Sequence, residues 1–440
     1  MKSIKNFLKK LLPGLFSFYH WFRAYLAAYV YGFPSKKMVV LGVTGTKGKS
    51  STANFIWSAL QNAGWRAGLI GNANLKIGDK EFLNPYHMTM LDPFKLHRLL
   101  RLMVKNGCRA AVIETTSEGL GQSRHKGVDY DILIFTNLTP EHIEVHGSFE
   151  KYREAKLTVF RELASRKRKK IFGIDVPKAF VVNVDSREGE NFLKFPADIK
   201  VTYGLAGSAD LQAEEIEEGI DGVSYRIKNG RRVRLKTLGR FNVCNSLPAL
   251  AVCEILKLEG DKCVEGLEKL SSIPGRMEVI ARKPFMVIVD YAHEPESLKA
   301  FLGSVKAIQG EGRSKIILLI GATGGGRDKS KRPVMGEIGA RGADYLVVSN
   351  DDPYDEDPTE IIRQVSSGAI KSGKKLNRDL FTVEDRREGI RKAVSLAQKD
   401  DFVLITGKGS EQALIMKDRQ IPWDDRRVTR EALGEIADFS

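Results

Sequence analysis

Acidic residues are missing from the start of this 440-residue sequence, in which the first Asp or Glu is Asp79. Eleven basic residues do precede it, so most of the formal net charge of +15 belongs to the N-terminal part of the chain. The rest of the chain is nearly neutral and carries no nucleic-acid-binding motif. We therefore expect no nucleic acid among the partners.

Cysteines and long hydrophobic runs are also scarce. The four cysteines lack metal-ligand spacing and are too few for a disulfide framework, which favours a reducing compartment. Arg23 divides the apolar stretch 11–35 into pieces of twelve residues, whereas a membrane span needs about twenty. A signal peptide is matched only in outline by the lysines of residues 2–10, and a cytosolic-looking glycine-rich loop follows directly. These absences predict a cytoplasmic protein.

Residues 1–36 combine lysines with ten aromatic residues, and two interpretations of this segment stay open. An amphipathic helix of such composition lies on an anionic membrane surface. That arrangement would give peripheral membrane contact and would place the protein at the inner face of the membrane. Alternatively, the segment forms a helix that packs against the domain that follows.

From residue 37 onward, short apolar stretches alternate with stretches of helical periodicity, a pattern typical of an α/β fold with parallel sheets. The strands are too many for one sheet of usual size, and Pro274-Gly275 breaks the pattern between two periodic regions. A hairpin with an Asn229-Gly230 turn is predicted within 201–238 as a small antiparallel addition. The other predicted strands are 38–43, 110–114, 132–137, 180–183, 286–290, 316–321, 345–349 and 402–406.

A glycine-rich loop between the first predicted strand and a helix carries the strongest single signal. In residues 42–50, glycines let backbone N–H groups face a polyphosphate, and the helix N-terminus adds its positive dipole end. Lys49 would reach the β- and γ-phosphates, and Ser50 would ligate Mg²⁺. Val43 stands where the general motif has its first glycine. The predicted ATP contacts are Gly45, Thr46, Lys47, Gly48, Lys49, Ser50 and Ser51.

The loop at residues 44–50 reads T-G-T-K-G-K-S after an apolar strand and resembles the ATP loop of the Mur ligases, which add amino acids to peptidoglycan precursors. The loop of that family also lacks the usual first glycine. The resemblance continues in order over about residues 38–435 and is strongest to the tripeptide synthetase branch. It implies a P-loop ATPase domain with a parallel sheet at 37–275, followed by a C-terminal Rossmann-like α/β domain at 276–440.

The resemblance also implies the activity. A ligase of this family uses ATP and Mg²⁺ to join an amino acid to a muramoyl-peptide precursor through an acyl phosphate. The branch has an N-terminal domain that binds the UDP group, where this sequence has only residues 1–36. Two alternatives therefore stay open: a Mur-like ligase for a lipid-linked muropeptide or a γ-glutamyl polymer, and a nucleotide-binding scaffold.

Motif matches imply the reacting residues. Glu114 ends a predicted strand, where an acid can hold Mg²⁺. The resemblance implies that His142 ligates a second Mg²⁺ and that Lys156 is carbamylated. Without the resemblance, Glu114 is an ordinary strand-end acid and Lys156 is a solvated helix lysine. The implied catalytic residues are Lys49, Glu114, His142 and Lys156, and the implied metal ligands are Ser50, Glu114, His142 and Lys156.

Further motif matches imply the remaining contacts. The implied nucleotide contacts are Asn242, Asn245, Arg276, Asp290 and His293, and the implied sugar-peptide contacts are Thr89, Thr116, Ser117 and Arg124. The implied amino-acid contacts are Arg327, Asp352, Tyr354, Gly407 and Glu411. Asp352 and Tyr354 replace an Asn and an Arg of the branch specific for meso-diaminopimelate. Because acidic Asp352 and Glu411 suit an amine, we predict lysine or a related diamino acid as the incoming group.

Overall fold

The computed structural model describes residues 13–139, 147–228, 230–310, 312 and 314–437. The predicted metal ligand His142 and the predicted turn residue Asn229 lie outside these residues. Helices and strands alternate along the chain, as the apolar periodicity predicts.

The first part of the chain contains eight α-helices, one 3₁₀ helix and thirteen strands within the described residues. They are α1 (Pro13–Val30), a 3₁₀ helix (Pro34–Lys37), β1 (Val39–Thr44), α2 (Lys49–Asn62), β2 (Ala67–Ile70), β3 (Asn74–Ile77), β4 (Lys80–Leu83), α3 (Pro93–Lys105), β5 (Ala110–Glu114), α4 (Ser117–Gly121), β6 (Ile132–Phe135), α5 (Phe149–Ala164), β7 (Lys169–Ile171), β8 (Ile174–Val176), β9 (Ala179–Asn183), α6 (Gly189–Leu193), β10 (Ile199–Gly204), β11 (Leu211–Gly219), β12 (Gly222–Ile227), β13 (Arg232–Leu235), α7 (Phe241–Ile255) and α8 (Gly260–Lys269).

The second part continues the same alternation. Its elements are β14 (Glu278–Ala281), β15 (Met286–Asp290), α9 (Pro295–Gln309), β16 (Ile316–Ile320), α10 (Lys331–Gly342), β17 (Tyr345–Ser349), α11 (Pro358–Lys371), β18 (Leu380–Val383), α12 (Arg386–Ser395), β19 (Phe402–Thr406), β20 (Ala413–Ile415), β21 (Gln420–Pro422) and α13 (Asp425–Ala437).

The first sheet has eleven strands in the order β13-β12-β11-β10-β9-β6-β1-β5-β2-β3-β4. Its centre, from β10 to β2, is parallel. Helices α2, α7 and α8 cover one face, and α3 and α5 cover the other. Burial on both faces explains why the central strands are almost continuously apolar. The predicted hairpin forms from β12 and β13, but β11 joins it to the edge of this sheet, so it is not a separate addition.

The second sheet has six strands in the order β14-β15-β19-β16-β17-β18. All neighbouring strands are parallel except β14 and β15. Helices α9, α10 and α11 pack on one face, and α12 and α13 pack on the other. The predicted α/β fold class is confirmed for both sheets, and the predicted boundary between residues 275 and 276 falls in the connection before β14.

Helix α1 packs against the first part of the chain with its smallest residues inward. Ala24, Ala27 and Ala28 are fully buried, and the Arg23 guanidinium pairs with the Asp92 carboxylate at 2.6 Å. Within the part of the chain that the structure describes, no helix is both long and apolar enough to cross a membrane. The opposite face of α1 is exposed and carries Phe18, Tyr19, Trp21, Phe22, Tyr25 and Tyr29.

A buried charge cluster anchors the segment before β1. Lys169 Nζ donates to Asp131 Oδ2 at 2.6 Å and to the carbonyl oxygens of Ser35 and Met38. Lys178 Nζ donates to Asp131 Oδ1 at 2.9 Å. Each buried cation therefore has a carboxylate partner, which is the condition for holding charge inside a protein.

One disulfide joins α7 to α8. Cys253 and Cys263 have Cα atoms 6.6 Å apart and form this bond, whereas Cys108 and Cys244 are free thiols. The cysteine count excludes a disulfide framework but gives no sign of a single bond. The bond forms here because the short connection between α7 and α8 turns two helix faces toward each other.

Candidate active site

The phosphate loop lies at the carboxyl edge of the first sheet, where residues after β6 hold it. β1 and β6 are parallel neighbours, so their ends reach the same edge. Thr46 N–H donates to Asn137 O at 2.8 Å, and the Asn137 side-chain amide bonds both N–H and carbonyl of Lys47, at 2.9 and 3.1 Å. Thr136 Oγ1 donates to Lys47 O at 2.7 Å. These hydrogen bonds fix the loop in one position.

Two loop glycines have backbone conformations that favour glycine, with φ of 148° at Gly45 and 80° at Gly48. A Cβ on Gly45 would lie 1.9 Å from Thr136 Oγ1, and one on Gly48 would lie 2.3 Å from Asn245 Oδ1. Only glycine fits at these two positions, and the bare backbone leaves N–H groups available to a polyphosphate. The loop geometry fits the phosphates of ATP.

Two lysine ammonium groups meet at one carbonyl oxygen of the loop. Lys49 Nζ donates to Gly45 O at 3.0 Å and to Thr46 O at 2.7 Å. Lys156 Nζ donates to the same Gly45 O at 2.9 Å from the buried side of α5. The two nitrogens therefore lie within about 6 Å of each other, a separation at which like charges repel. Lys156 is buried, in contrast to the solvated lysine that the sequence alone predicts.

Glu114 lies beside the loop at the end of β5. Asn72 N–H donates to Glu114 Oε1 at 2.8 Å, and the Ser50 hydroxyl lies beside this carboxylate and acts to lower its pKa. Burial raises the pKa of Glu114, and nearby Lys49 and Arg276 oppose the rise. A buried carboxylate beside a hydroxyl is a donor set that Mg²⁺ accepts.

Groups of three or more His, Cys, Asp or Glu side chains that could hold a metal do not occur among the described residues. Mg²⁺ keeps several waters and is bound by one or two carboxylates together with substrate phosphates. A single carboxylate beside a hydroxyl suits such a site. Ser50 and Glu114 are the described residues that fit this role.

A cavity of about 550 Å³ opens beside the loop and is lined by both parts of the chain. Its lining includes the loop, the strand-end acid, four predicted sugar-peptide residues and three predicted nucleotide residues of the second part. Among the predicted site residues, the cavity wall contains Thr46, Lys47, Gly48, Lys49, Ser50, Ser51, Thr89, Glu114, Thr116, Ser117, Arg124, Asn245, Arg276, Asp290 and His293.

Residues just before β14 and at the end of β15 close this cavity from the second part. Arg276 stacks on the Tyr291 ring at 4.2 Å and reaches Ser50 Oγ at 3.5 Å. Burial raises the pKa of Asp290, whose carboxylate accepts from the N–H groups of Met277 and Ala292. These contacts bring the second sheet to the phosphate loop of the first.

The other predicted nucleotide residues are held by local hydrogen bonds. His293 Nδ1 donates to Tyr291 O at 2.7 Å. Asn245 Nδ2 donates to Asn242 Oδ1 at 3.0 Å, and Asn242 Nδ2 donates to Leu238 O at 2.7 Å. Asn245 therefore faces the cavity, whereas buried Asn242 lies behind it and orients it.

The predicted sugar-peptide residues surround the far side of the cavity. Thr89 Oγ1 donates to Asn72 Oδ1 at 3.2 Å, and Thr116 caps α4 by accepting from Gly119 N–H. Arg124 Nη1 donates to Met90 O at 2.7 Å, which holds its guanidinium at the wall. Burial lowers the pKa of Arg124.

Two predicted amino-acid contacts, Asp352 and Glu411, form together with Asp351 a cluster of charges around Lys408. Its Nζ lies 2.7 Å from Asp352 Oδ1, 2.8 Å from Glu411 Oε2 and 3.7 Å from Asp351 Oδ1. Burial lowers the pKa of Lys408, but the three carboxylates more than offset this and raise it. Burial raises the pKa of Asp352 to about 6, Asp351 adds to the rise, and Lys408 opposes it. Three carboxylates thus face one ammonium group.

This cluster adjoins the cavity through Tyr291. The Tyr291 hydroxyl donates to Glu411 Oε1 at 3.0 Å and also contacts the Asn72 side chain of the first part. His87 lines the cavity close to Glu411 and Lys408, and burial lowers its pKa. The predicted amino-acid residues are therefore connected to the phosphate loop by side chains from both parts.

Three predicted amino-acid residues are arranged differently. Gly407 has φ of 116°, and a Cβ there would lie 3.0 Å from Asp351 Oδ2, so it packs against the acid cluster. Tyr354 adopts φ of 55°. Arg327 is exposed and lies outside the cavity wall, where its charge acts on Tyr354.

Comparison with known proteins agrees with this geometry. Residues 43–253 match the Mur ligase middle domain, and residues 275–409 match the Mur ligase, glutamate ligase domain. The UDP-N-acetylmuramoyl-L-alanyl-D-glutamate--2,6-diaminopimelate ligase 1 of Clostridium acetobutylicum is 35% identical over 419 residues, which cover 94% of this chain and 82% of that protein. The chain belongs to the Mur ligase family.

Two further Mur ligases are similar to this chain. The UDP-N-acetylmuramyl-tripeptide synthetase of Roseiflexus sp. is 36% identical over 419 residues, which cover 93% of this chain and 81% of that protein. A solved 2,6-diaminopimelate ligase is 29% identical with a TM-score of 0.62, covering 91% of this chain and 79% of that one. Mur ligases are ATP-dependent, Mg²⁺-using enzymes that form peptide bonds, and this chain is accordingly an acid–amino-acid ligase.

Several residues of the site were not predicted. Asn137, Tyr291 and Lys408 lie inside motifs that match the family, but nothing in the linear sequence shows which partners they reach. Asn72 and His87 lie outside these motifs. Polar residues directly after apolar strands are the signal that could have identified Asn72 and Asn137, since strand ends of parallel sheets carry ligand sites.

We expect Gly48→Ala to weaken ATP binding by about tenfold or more, because the new Cβ would displace the loop from Asn245. Gly64→Ala is the matched control. Gly64 has φ of 79° but open space around it, so both variants carry similar backbone strain of about 1 kcal/mol. Isothermal titration with ATP measures the difference. Equal losses in the two variants would contradict the contact with Asn245.

Proposed function

We propose that this ligase adds a diamino acid to a UDP-N-acetylmuramoyl-dipeptide-like precursor in peptidoglycan synthesis. The γ-phosphate of ATP passes to the terminal carboxylate of the precursor and gives an acyl phosphate. The amino group of the incoming amino acid attacks this carbonyl, an amide forms and phosphate leaves. The observation that carries the proposal is one continuous site, in which Tyr291 joins the amino-acid cluster to the wall of the ATP cavity.

Charge complementarity supports the roles of the loop residues. Lys49 and Arg276 place positive charge beside the position of the γ-phosphate, where negative charge develops during transfer. Bound at Ser50 and Glu114, Mg²⁺ would neutralise charge on the transferring phosphoryl group. His142, outside the described residues, is proposed as a ligand of a second Mg²⁺ on the family resemblance.

The contact between two cations at Gly45 supports the proposed carbamylation of Lys156. The unmodified ammonium groups of Lys49 and Lys156 repel each other across their shared acceptor. Carbamylation of Lys156 replaces a positive charge with a negative one. The repulsion then becomes an attraction, and the carbamate oxygens become available as metal ligands.

The buried acids support an amine at the distal end of the incoming amino acid. Among the described residues, Lys408 is the one cation in an ion pair with Asp351, Asp352 and Glu411. Arg386 also acts on Asp351 but is paired with Asp425 at 2.7 Å. A second cation from the substrate would offset the remaining negative charge. Tyr354 cannot pair with a second carboxylate as an arginine would. We propose lysine or a related diamine rather than diaminopimelate, which is the substrate in the names of several relatives.

The N-terminal segment supports a proposal about location. We propose that residues 1–36 make peripheral contact with a membrane, because the aromatic face of α1 is exposed. Such contact would hold the ligase at the inner face of the membrane. It favours the alternative acceptor, a lipid-linked muropeptide, whose carrier lies in the same membrane.

Phosphate release tests the reaction directly. We expect release when ATP, Mg²⁺, UDP-muramoyl-dipeptide and lysine are all present, and about a hundredfold slower release in Lys49→Ala. A lipid-linked dipeptide tested in parallel distinguishes the two acceptors. Preference for diaminopimelate over lysine would contradict the amine assignment. No release with any acceptor and amino acid, despite ATP binding, would favour a nucleotide-binding scaffold.

Carbamylation has its own readout. After incubation with ¹³C-bicarbonate, we expect a carbamate resonance in the carbon NMR spectrum of the full-length protein and its loss in Lys156→Arg. Lys151→Arg is the control, since Lys151 is exposed on the same helix. A spectrum of the unaltered protein without this resonance at saturating bicarbonate would remove the proposal.

The pKa of Asp352 predicts how amino-acid binding depends on pH. Below about pH 6 Asp352 takes up a proton and loses the charge that attracts an amine. We therefore expect the KM for lysine to be constant above pH 7 and to rise about tenfold per pH unit below 6. Asp352→Asn should raise the KM and abolish this dependence, whereas exposed Asp355→Asn should leave it intact. An unchanged pH profile in Asp352→Asn would exclude this role.

A further inference from the structure

A second cavity, of about 450 Å³, lies between the end of α1, the 3₁₀ helix and α3, away from the ATP site. Four cationic side chains line it: Lys37, Arg98, Arg101 and Lys105. Within the described ranges, no acidic side chain contributes to its lining and none of these four cations is in an ion pair. Four unpaired cations around one cavity form a site for anionic groups such as phosphates. We call this site the basic pocket.

The basic pocket is continuous with the exposed face of α1. Tyr29 and Val30, which are 73% and 58% exposed, line it together with the cations. Further along the helix, Phe18 stacks on Trp21 and on Phe22, at 5.9 and 6.3 Å between ring centroids. Residues 18, 21, 22, 25 and 29 follow the spacing of one helix face. The aromatic stripe and the cations therefore form one surface.

The direction of α1 relates this surface to the active site. Arg23 pairs with Asp92, the residue that caps the start of α3, and Met90 just before it lines the ATP cavity. Tyr29 lies toward the end of α3, where Lys105 stands. The helix thus runs from the sugar-peptide side of the active site to the basic pocket. A flat partner that lies along α1 would therefore contact the basic pocket at one end of the helix and lie near the sugar-peptide side of the active site at the other.

We propose that the aromatic face of α1 and the basic pocket together bind the surface of an anionic phospholipid bilayer. Aromatic side chains enter the interface between head groups and acyl chains, and the pocket cations bind lipid phosphates. This inference rests on the proposed peripheral contact of residues 1–36. It adds the cations of the basic pocket, which lie outside that segment, three of them on α3, and which select for anionic lipids.

The positive charge of this surface favours an anionic bilayer over a second copy of this chain as its partner. Two copies that met through the same face would bring their cation clusters toward each other, with no acid in either lining to offset them. An anionic bilayer supplies the opposite charge over the whole surface. It also accepts exposed Trp, Tyr and Phe side chains, whose amphipathic rings favour membrane interfaces.

Vesicle co-sedimentation of the full chain tests this inference. The variant Arg98→Gln/Arg101→Gln/Lys105→Gln removes three pocket cations, and Lys371→Gln/Lys375→Gln/Lys399→Gln removes three exposed lysines of the second part as the matched control. On phosphatidylcholine vesicles with 30% phosphatidylglycerol, we expect the pocket variant to bind roughly a hundredfold more weakly. The control should change by less than about threefold. Phe18→Ser/Phe22→Ser should weaken binding to anionic and to neutral vesicles.

The other possible results of these vesicle experiments would each contradict a different part of the proposal. Equal losses in the two charge variants would show diffuse attraction and overturn the basic pocket. Binding that is equal on neutral and anionic vesicles would overturn it too, while leaving the contact of residues 1–36 in place. No binding to any vesicle would remove both. A dimer in analytical ultracentrifugation that Phe18→Ser/Phe22→Ser dissociates would assign the face to a second copy.

Discussion

The hydrogen bonds between the phosphate loop and the residues after β6 are the constraint on which the active site depends. Parallel pairing of β1 and β6 brings Asn137 to Lys47. With the loop fixed there, Gly45 O becomes a common acceptor for Lys49 and Lys156. The neighbouring strand β5 then places Glu114 beside Ser50. The contacts of Asn137 and Glu114 follow from strand order, since β1, β5 and β6 end at the same edge of one sheet. Lys156 reaches this edge from α5.

The second part of the chain completes the site through a small number of side chains. Arg276 reaches Ser50, and Tyr291 lies between Asn72 and Glu411. Glu411, a proposed amino-acid contact, is therefore linked through Tyr291 to Arg276 beside the phosphate loop. Separation of the two parts would break both connections together. Such an arrangement lets closure assemble the reacting groups in one step.

The local parts of this architecture could be predicted from the sequence, and the tertiary parts could not. The strand, the glycine-rich loop and α2 follow from a continuous motif, and four predicted strands match the observed limits: 110–114, 286–290, 345–349 and 402–406. Burial of Lys156 depends on how α5 packs against the loop, which no linear pattern contains. Lys408 similarly acquires its partners only when β17 and β19 place Asp352 and Glu411 around it.

The orientation of the N-terminal helix α1 is another feature that the sequence alone does not predict. The composition of the segment indicates a helix but does not say which face turns inward, because most positions of α1 are apolar or aromatic. The structure resolves this through size: Ala24, Ala27 and Ala28 pack inward and the rings outward. Close approach also requires Gly127, where a Cβ would lie 2.7 Å from the Ala28 Cβ.

Because small residues face inward and rings face outward, the two faces of α1 differ in the substitutions that they accommodate. Enlargement of Ala28 would push the helix away from Gly127, so the inner face accommodates only a small side chain there. The outer rings are more exposed, so their exchange for other side chains should cost less stability. Changes on the outer face would therefore alter the proposed membrane contact while the packing of α1 on the first part stays the same.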